Sequence, residues 1–224
     1  MVKRRSKIAL GLMVPVVLAG TAVIIYSIFF LHFVSVPTGA MQNTILPGDR
    51  VVTTRLIGEI KRGDVILFKY PPDTSIQYIK RVIGLPGESI EVRGSKVYID
   101  GNELPERRVL VESPSFGHDG KPLKEISSDG DGSYQVFYNR EADEYRTDGS
   151  LAGRFGGGAP YRIPERHYFV MGDNRDDSED SRFWGTVPRD LITSKAIAIY
   201  FSVEQSESGH ARAIRWRRMF TKIR

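Results

Sequence analysis

Hydrophobic residues follow one pattern near the amino terminus and another in the rest of the chain. Residues 8–33 contain no Lys, Arg, Asp or Glu. As a helix at about 1.5 Å per residue they would span roughly 39 Å, more than the ~30 Å hydrocarbon core of a bilayer. We therefore predict a retained transmembrane anchor. The alternative is a cleaved signal peptide, hinted at by Leu18-Ala19-Gly20, but such peptides have an apolar region of only about 7–15 residues.

After residue 33 the apolar residues occur in short β-branched or aromatic runs, separated by Gly, Pro and Asp. No long stretch between residues 34 and 205 keeps a helical period. The turn Asp100-Gly101-Asn102 lies where a hairpin would reverse. We predict a mainly β body with candidate strands at 50–57, 64–70, 75–83, 89–93, 96–99, 134–138, 167–171 and 195–202.

The segment 112–164 and the C-terminal tail depart from this pattern. Residues 112–164 are rich in glycine and polar side chains, and we interpret them as an inserted, cap-like region with little core of its own, partly mobile. The predicted order is a cytoplasmic basic segment (1–7), the anchor (8–33), a β-rich catalytic domain (34–111 and 165–205) interrupted by the insertion (112–164), and a basic tail (206–224).

The tail mixes apolar side chains, among them Trp216, with six basic residues between 212 and 224. A basic segment that contains Trp is suited to the membrane interface. A solvated terminal helix or a frayed tail fits the same residues equally well, and the sequence leaves both interpretations open.

Charge and composition narrow the classes of function. The 224 residues carry a formal charge of +5, yet ten of the 32 Lys and Arg lie in the two ends, which leaves 22 against 27 acidic residues in the body. This distribution argues against nucleic-acid binding by the body and favours contact of the ends with a lipid bilayer. The chain has no cysteine and four scattered histidines, so we predict no thiol nucleophile, no metal site and no cofactor.

Three short motifs carry the candidate chemistry: VPTGAM at 36–41, YIKRVIGLPG at 78–87 and GDNRDDSEDSRFWG at 172–185. In these motifs, and in their order and spacing, the chain resembles the type I signal peptidases. These are membrane-anchored Ser–Lys proteases that remove signal peptides from exported proteins. The resemblance extends from the anchor to about Phe201, without the insertion, and the third motif is too long for chance.

One residue departs from the family at the position that matters most. Where the family has its serine nucleophile, this chain has Ala40, and a methyl group cannot attack a carbonyl. Ser35 and Thr38 are displaced along the chain and do not substitute for it. The chain as written is therefore predicted to be inactive, through either a Ser→Ala change made in the laboratory, which we favour, or a naturally inactive relative.

The resemblance implies that Lys80 is the general base, which requires a neutral amine. Because a free lysine has a pKa of about 10.4, its site must lower the pKa by desolvation. On a strand, Tyr78 and Val82 share a face with Lys80. The resemblance adds Met171 as an apolar neighbour, an ion pair of Asp180 with Arg182, and support of Lys80 by a hydrogen bond from Ser178.

The resemblance also implies an oxyanion hole and a substrate groove. Thr38 would supply a hydroxyl and Ala40 its backbone N–H to the tetrahedral intermediate, although Thr38 is also explained as a simple turn hydroxyl. An extended signal peptide would add as a strand between Val36-Pro37 and the strand of Tyr78-Ile79. Small residues one and three positions before the cut are expected to fit pockets lined by Val36, Met41, Tyr78 and Ile79.

The acidic run at 173–180 does not form a calcium-binding EF-hand loop, because its sixth position is not glycine and its twelfth is Trp184. Two functions remain: a signal peptidase disabled by Ala40, or a membrane-anchored protein that binds signal peptides without cutting them. A Ser–Lys autoprotease related to repressor-cleaving proteins is disfavoured by the anchor and the third motif. The positive-inside rule predicts that the amino terminus lies in the cytoplasm and that the body lies on the other, extracytoplasmic side of the inner membrane.

Overall fold

The structure is a computed structural model, and it describes residues 15–22, 29–111, 122–127, 134–138, 153–205 and 211–223. The described residues are mainly β, as predicted. One short α-helix, α1 (Ser181–Trp184), and two 3₁₀ turns, Arg189–Leu191 and Trp216–Arg218, interrupt the strands. The strands are β1 (Leu31–Ser35), β2 (Asp49–Thr54), β3 (Val65–Tyr70), β4 (Asp73–Gly84), β5 (Ser89–Arg93), β6 (Lys96–Ile99), β7 (Asn102–Glu103), β8 (Arg107–Val111), β9 (Pro122–Ser127), β10 (Gln135–Tyr138), β11 (Tyr161–Arg162), β12 (His167–Met171), β13 (Val187–Pro188), β14 (Ile192–Gln205), β15 (Ala211–Ile214) and β16 (Thr221–Lys222).

A nine-stranded sheet of the described residues carries the motifs. Its strands follow the order β1-β2-β14-β3-β4-β12-β13, and β15 and β16 also pair with β14. Pairing is antiparallel throughout. Strand β4 pairs with β3 over most of its length, whereas β12 pairs only with its last residues, from Arg81 to Gly84. The segment of β4 before Arg81 therefore has an edge that β12 does not cover.

Alternation of apolar side chains builds the core of this sheet on both faces. One buried cluster contains Val51, Val65, Leu67 and Ile199, and the opposite cluster contains Phe68 from β3. Because successive side chains of a strand point to opposite faces, β3 supplies both clusters, and its run of apolar residues is almost continuous.

Two smaller sheets flank the first. One has the order β11-β5-β6-β7 and includes the predicted hairpin between β6 and β7, whose turn holds Asp100 and Gly101 at positive φ. The other has the order β10-β8-β9, with β10 parallel to β8. All eight candidate strands are confirmed, with shifts of a few residues at their ends. The short strands β7, β11, β13 and β16 are too brief to show a period of their own.

Only part of the predicted anchor can be compared with the structure. Residues 15–22 and 29–30 are helical, whereas 8–14 and 23–28 lie outside the described residues. Within the described segments, no helix has both the length and the apolar character needed to cross a membrane. At the other end, Leu31–Phe33 are not helical but begin β1, because they pair with Val52–Thr54 of β2. The helical interpretation therefore ends before Leu31.

The described parts of residues 112–164 contribute buried side chains that pack against strands outside the predicted insertion. In β10, Val136, Phe137 and Tyr138 are buried, and β10 pairs with β8. Ile163 is buried in a cluster that also includes Ile90 of β5. The remainder of the predicted insertion, residues 112–121, 128–133 and 139–152, lies outside the described residues.

The basic tail is neither a solvated helix nor frayed over residues 211–223. Strands β15 and β16 pair with β14, and Ile223 is buried in the core of the main sheet. Trp216 and Phe220 remain exposed, with 71% and 80% of their surface accessible. The tail therefore belongs to the β-rich body, and its aromatic side chains face away from the core.

Candidate active site

The first motif follows β1 and forms a tight turn that leads into β2. Gln42 N–H donates to Gly39 O (2.9 Å), and Ile45 N–H donates to Met41 O (2.7 Å). A Cβ on Gly39 would lie 2.6 Å from the Gln42 side-chain oxygen, so a larger residue there would have to displace the end of that side chain. Ala40 is buried, and no group among the described residues accepts a hydrogen bond from its N–H. This donor is available to a bound carbonyl oxygen.

The start of the third motif holds this turn from the other side. Asn174 donates its backbone N–H to Ala40 O (3.1 Å) and its side-chain N–H to Gly39 O (3.2 Å). A Cβ on Gly172 would overlap the Ala40 carbonyl oxygen and the Ser178 hydroxyl. Gly172 thus allows the two motifs to approach within contact distance. Asn174 was not among the predicted site residues, although the length of its motif was a signal.

Lys80 lies on β4 with only 4% of its surface exposed. Burial lowers the pKa of its amine to about 8, while attraction to Asp180 raises it and repulsion from Arg182 lowers it further. Its Nζ lies 5.4 Å from the centre of the Tyr78 ring. A buried amine with a pKa this close to neutrality is suited to accept a proton.

The carboxylate of Asp180 is completely buried and makes several hydrogen bonds. It accepts from Arg182 Nε (2.8 Å), from the Ser178 hydroxyl (2.8 Å) and from Gly172 N–H (3.0 Å). Burial alone would raise the pKa of Asp180, but attraction to Arg182 and these hydrogen bonds lower it below its usual value. The carboxylate therefore stays ionised. Its negative charge favours the protonated form of Lys80 and so raises the pKa of that amine.

The contacts of the Ser178 and Met171 side chains differ from those that the resemblance implies. The Ser178 hydroxyl donates to Asp180, and among the described residues it makes no hydrogen bond to Lys80, so any support of Lys80 by Ser178 passes through that carboxylate. Met171 is 1% exposed and packs in the cluster of Ile83 and Phe169 rather than against the pocket. Its neighbour in the register is Arg81, the residue after Lys80.

A cavity of about 530 Å³ brings most of the candidate residues together. Met41 does not line it, because its side chain is buried in the core of the main sheet. Asp177 and Glu179, which were not among the predicted site residues, do line it. The lining residues are Val34, Ser35, Val36, Pro37, Thr38, Gly39, Ala40, Leu67, Ile76, Gln77, Tyr78, Ile79, Lys80, Asp177 and Glu179.

A second buried ion pair, which the sequence analysis did not identify, supports both sides of the cavity. Arg81 Nε donates to Asp173 Oδ1 (2.7 Å), and the Thr44 hydroxyl donates to Asp173 Oδ2 (2.6 Å). Arg81 follows Lys80, and Thr44 lies in the turn after Ala40. One carboxylate thus connects the strand of the candidate base with the turn of the nucleophile position.

Comparison with known proteins agrees with the motifs. The sequence profile of the family described as "Signal peptidase, peptidase S26" matches residues 9–201. Signal peptidase I of Aquifex aeolicus (strain VF5) is 33% identical over 201 residues, which cover 75% of this chain and 75% of that protein. Signal peptidase I of Pseudomonas fluorescens is 29% identical over 216 residues, which cover 84% and 71% of the two chains.

A solved structure is similar in sequence but superposes weakly. A signal peptidase I from Enterococcus faecalis V583 is 26% identical and covers 62% of this chain and 97% of its own, with a TM-score of 0.35. The assignment below therefore depends on the sequence matches and on the site itself.

Proposed function

The chain belongs to the signal peptidase family, peptidase S26, and from this we propose that its cavity is the active site of a Ser–Lys endopeptidase that acts on signal peptides. The observation that supports this assignment most directly is the shared cavity of Ala40 and Lys80, with Thr38 on its wall. Ala40 and Lys80 are 40 positions apart in the sequence, yet both line this cavity. They belong to the two motifs in which the family has its nucleophile and its base.

In the proposed reaction a serine at position 40 attacks the peptide carbonyl carbon while Lys80 takes the proton from its hydroxyl. The oxyanion accepts hydrogen bonds from the backbone N–H of residue 40 and from the Thr38 hydroxyl. When the C–N bond breaks, Lys80 returns the proton to the leaving amine. Water then attacks the acyl carbon, and Lys80 takes its proton. When the ester C–O bond breaks, Lys80 gives this proton to the serine oxygen, and the peptide leaves with a new carboxyl group.

The chain as written lacks the first of these groups. Ala40 keeps the backbone N–H but has no hydroxyl, and we infer that this protein binds substrate without cleaving it. Every other group of the proposed machinery is present, which favours an introduced Ser→Ala change over gradual decay of a natural relative. If the protein were instead a naturally inactive relative, we would expect further parts of the machinery to have lost function as well.

The groove is suited to an extended peptide. Val36 and Pro37 line one side of the cavity, and Tyr78 and Ile79 line the other, where β4 is not covered by β12. A peptide in this gap would add as a strand and use backbone hydrogen bonds for affinity. The apolar walls limit side-chain size, which supports the proposed preference for small residues before the cut.

We further propose that residues 8–30, the part of the predicted anchor that precedes β1, hold the protein in the inner membrane. The four basic residues between positions 3 and 7 would stay in the cytoplasm, and the catalytic body would lie on the extracytoplasmic side, next to emerging signal peptides. The lipid bilayer is then a partner of the protein as well as its location.

The decisive experiment compares cleavage of a preprotein by the unaltered chain and by the Ala40→Ser variant, both in detergent. Cleavage after a small residue by Ala40→Ser alone is the expected result, and Lys80→Ala in that background should abolish it. Absence of cleavage by Ala40→Ser, with the folded state verified, would refute the proposal.

A second function is favoured by Ala40 itself: a membrane-anchored protein that captures signal peptides without cutting them. It predicts that Ala40→Ser still gives no turnover while a signal peptide binds to both forms. Binding measured by fluorescence anisotropy of a labelled peptide, next to the cleavage assay, separates the two functions.

A further inference from the structure

We propose that strand β10, which belongs to the region predicted as an insertion, positions the turn of residue 40 by holding Asn174 in place. This inference rests on the proposed function, because the group being positioned is the backbone N–H that would stabilise the oxyanion. It assigns a role in the reaction to a segment that carries none of the three motifs.

Backbone hydrogen bonds on both sides of Asn174 carry the argument. Phe137 N–H donates to Asp173 O (2.8 Å), and Arg175 N–H donates to Phe137 O (2.9 Å). Phe137 and Asn174 accordingly form a parallel bridge. Asn174 in turn donates to Ala40 O and Gly39 O. A continuous set of hydrogen bonds therefore runs from β10 through Asn174 to the turn that presents the N–H of Ala40.

Strand β10 is itself fixed firmly enough to act as a support. Its other edge pairs with β8, and Val136 and Tyr138 are 0% and 2% exposed. The Tyr138 hydroxyl donates to Ser95 O (2.9 Å), which attaches β10 to the loop between β5 and β6. A rigid second layer of this kind holds catalytic groups within the small tolerance that the reaction allows.

Side chains around β10 reinforce the same contact. Arg81 lies over the Tyr134 ring, 4.3 Å from its centre, while its Nε donates to Asp173. Glu106, which precedes β8, accepts from Arg175 Nη1 (2.9 Å) and from the Tyr134 hydroxyl (3.2 Å). The residues on both sides of Asn174 thus have charged side chains fixed by buried partners.

The expected consequence is a loss of rate with little loss of binding. If β10 is released, Asn174 can shift, and the N–H of residue 40 no longer points at the oxyanion. The groove walls at Val36 and Tyr78 pack in other hydrophobic clusters than Phe137 of β10, so the peptide should still bind. A misplacement of about 1 Å at a catalytic group can cost about a hundredfold in rate.

The test removes one hydrogen bond and keeps the rest. Phe137→Pro deletes the N–H that reaches Asp173, on the edge of β10 that faces away from β8. Phe137→Val is the matched control, because it also loses the ring but keeps the N–H. In the Ala40→Ser background we expect Phe137→Pro to lower kcat about ten- to a hundredfold relative to Phe137→Val. In the unaltered chain, we expect both variants to bind a labelled signal peptide with the same Kd.

Equal kcat values for the two variants would overturn the proposal, and so would a joint loss of rate and binding in proportion to the unfolded fraction. If Phe137→Pro does not fold, replacing Phe137 by its α-hydroxy acid removes the same N–H with the ring intact. The control is then the protein with Phe137 itself, and equal kcat values again overturn the proposal.

Failure of the proposed function is recognised separately, because Ala40→Ser alone would then be inactive. In that case hydrogen exchange of residues 36–46 decides the positioning role. Faster exchange in Phe137→Pro than in Phe137→Val supports the role, and identical exchange overturns it.

Discussion

Arg218 forms an ion pair with Asp49 that connects the C-terminal segment to the turn after Ala40. The Arg218 guanidinium donates to Asp49 Oδ2 (2.8 Å) and to Thr44 O (3.0 Å), and the Asp49 carboxylate is completely buried. Arg215 adds a hydrogen bond to Pro47 O (2.7 Å) and lies 3.3 Å from Asp49 Oδ1. The basic tail thus supplies cations to an internal carboxylate.

Loss of both arginines should destabilise the protein strongly. Arg215→Ala combined with Arg218→Ala leaves Asp49 buried without a cation, which typically costs about 3–5 kcal/mol. The free energy of unfolding, measured by chemical denaturation, checks this value. Exposed Arg217→Ala is the control and should leave stability unchanged. Equal stability of the double variant and the control would show that the tail does not support the domain.

Replacing Lys80 by methionine should increase stability near neutral pH. Because burial lowers the pKa of Lys80 to about 8, charging this amine at pH 7 costs the folded state about 3 kcal/mol. Between pH 8 and about 10.4, the folded state binds fewer protons than the unfolded state, so the stability of the parent rises with pH.

The advantage of Lys80→Met should accordingly be greatest below pH 8 and shrink toward pH 10.4. Denaturation curves across this range measure it, and exposed Lys69→Met on β3 provides the control. A pH-independent difference would mean that Lys80 is not desolvated as the structure indicates.

The pH dependence of cleavage should follow the same amine. In the Ala40→Ser protein, kcat/KM should rise with pH around 8, because only neutral Lys80 can accept the proton. Glu179, on the cavity wall, raises the pKa of Lys80. Glu179→Gln should therefore move the acidic limb to lower pH. A shift to higher pH, or none, would contradict the electrostatic role of Glu179.

The sequence predicted the eight strands with clear local patterns, and its motifs indicated several residues that line the cavity. Strands such as β3 and β5 have strong local patterns, and the three motifs located Lys80 and Ala40 directly. The burial of Met41 was missed because alternation along a strand does not apply to the turn it occupies. Its neighbour Ile45 donates back to it, and both point into the core.

Long-range charge pairing explains most of the remaining errors. Arg218 and Asp49 are separated by 169 residues, and Arg81 and Asp173 by 92. No local pattern reveals such pairs, so the sequence analysis linked the basic tail to no acidic partner and gave Arg81 no partner in the third motif. Likewise, β10 gains its role from contacts with Asn174 that only the folded chain brings together.

The contact between Gly172 and the turn of Ala40 should tolerate no side chain. In Gly172→Ala the new methyl group would overlap both the Ser178 hydroxyl and the Ala40 carbonyl oxygen. Overpacking of this kind costs about 1–3 kcal/mol, and it would push Asn174 away from Ala40. We expect lower stability by denaturation and, in the Ala40→Ser background, a lower kcat.

Adding Ser178→Gly should relieve the clash only in part, because the Ala40 oxygen belongs to the backbone and cannot rotate away. Full recovery relative to Ser178→Gly alone would show that Gly172 serves the serine contact and not the positioning of residue 40.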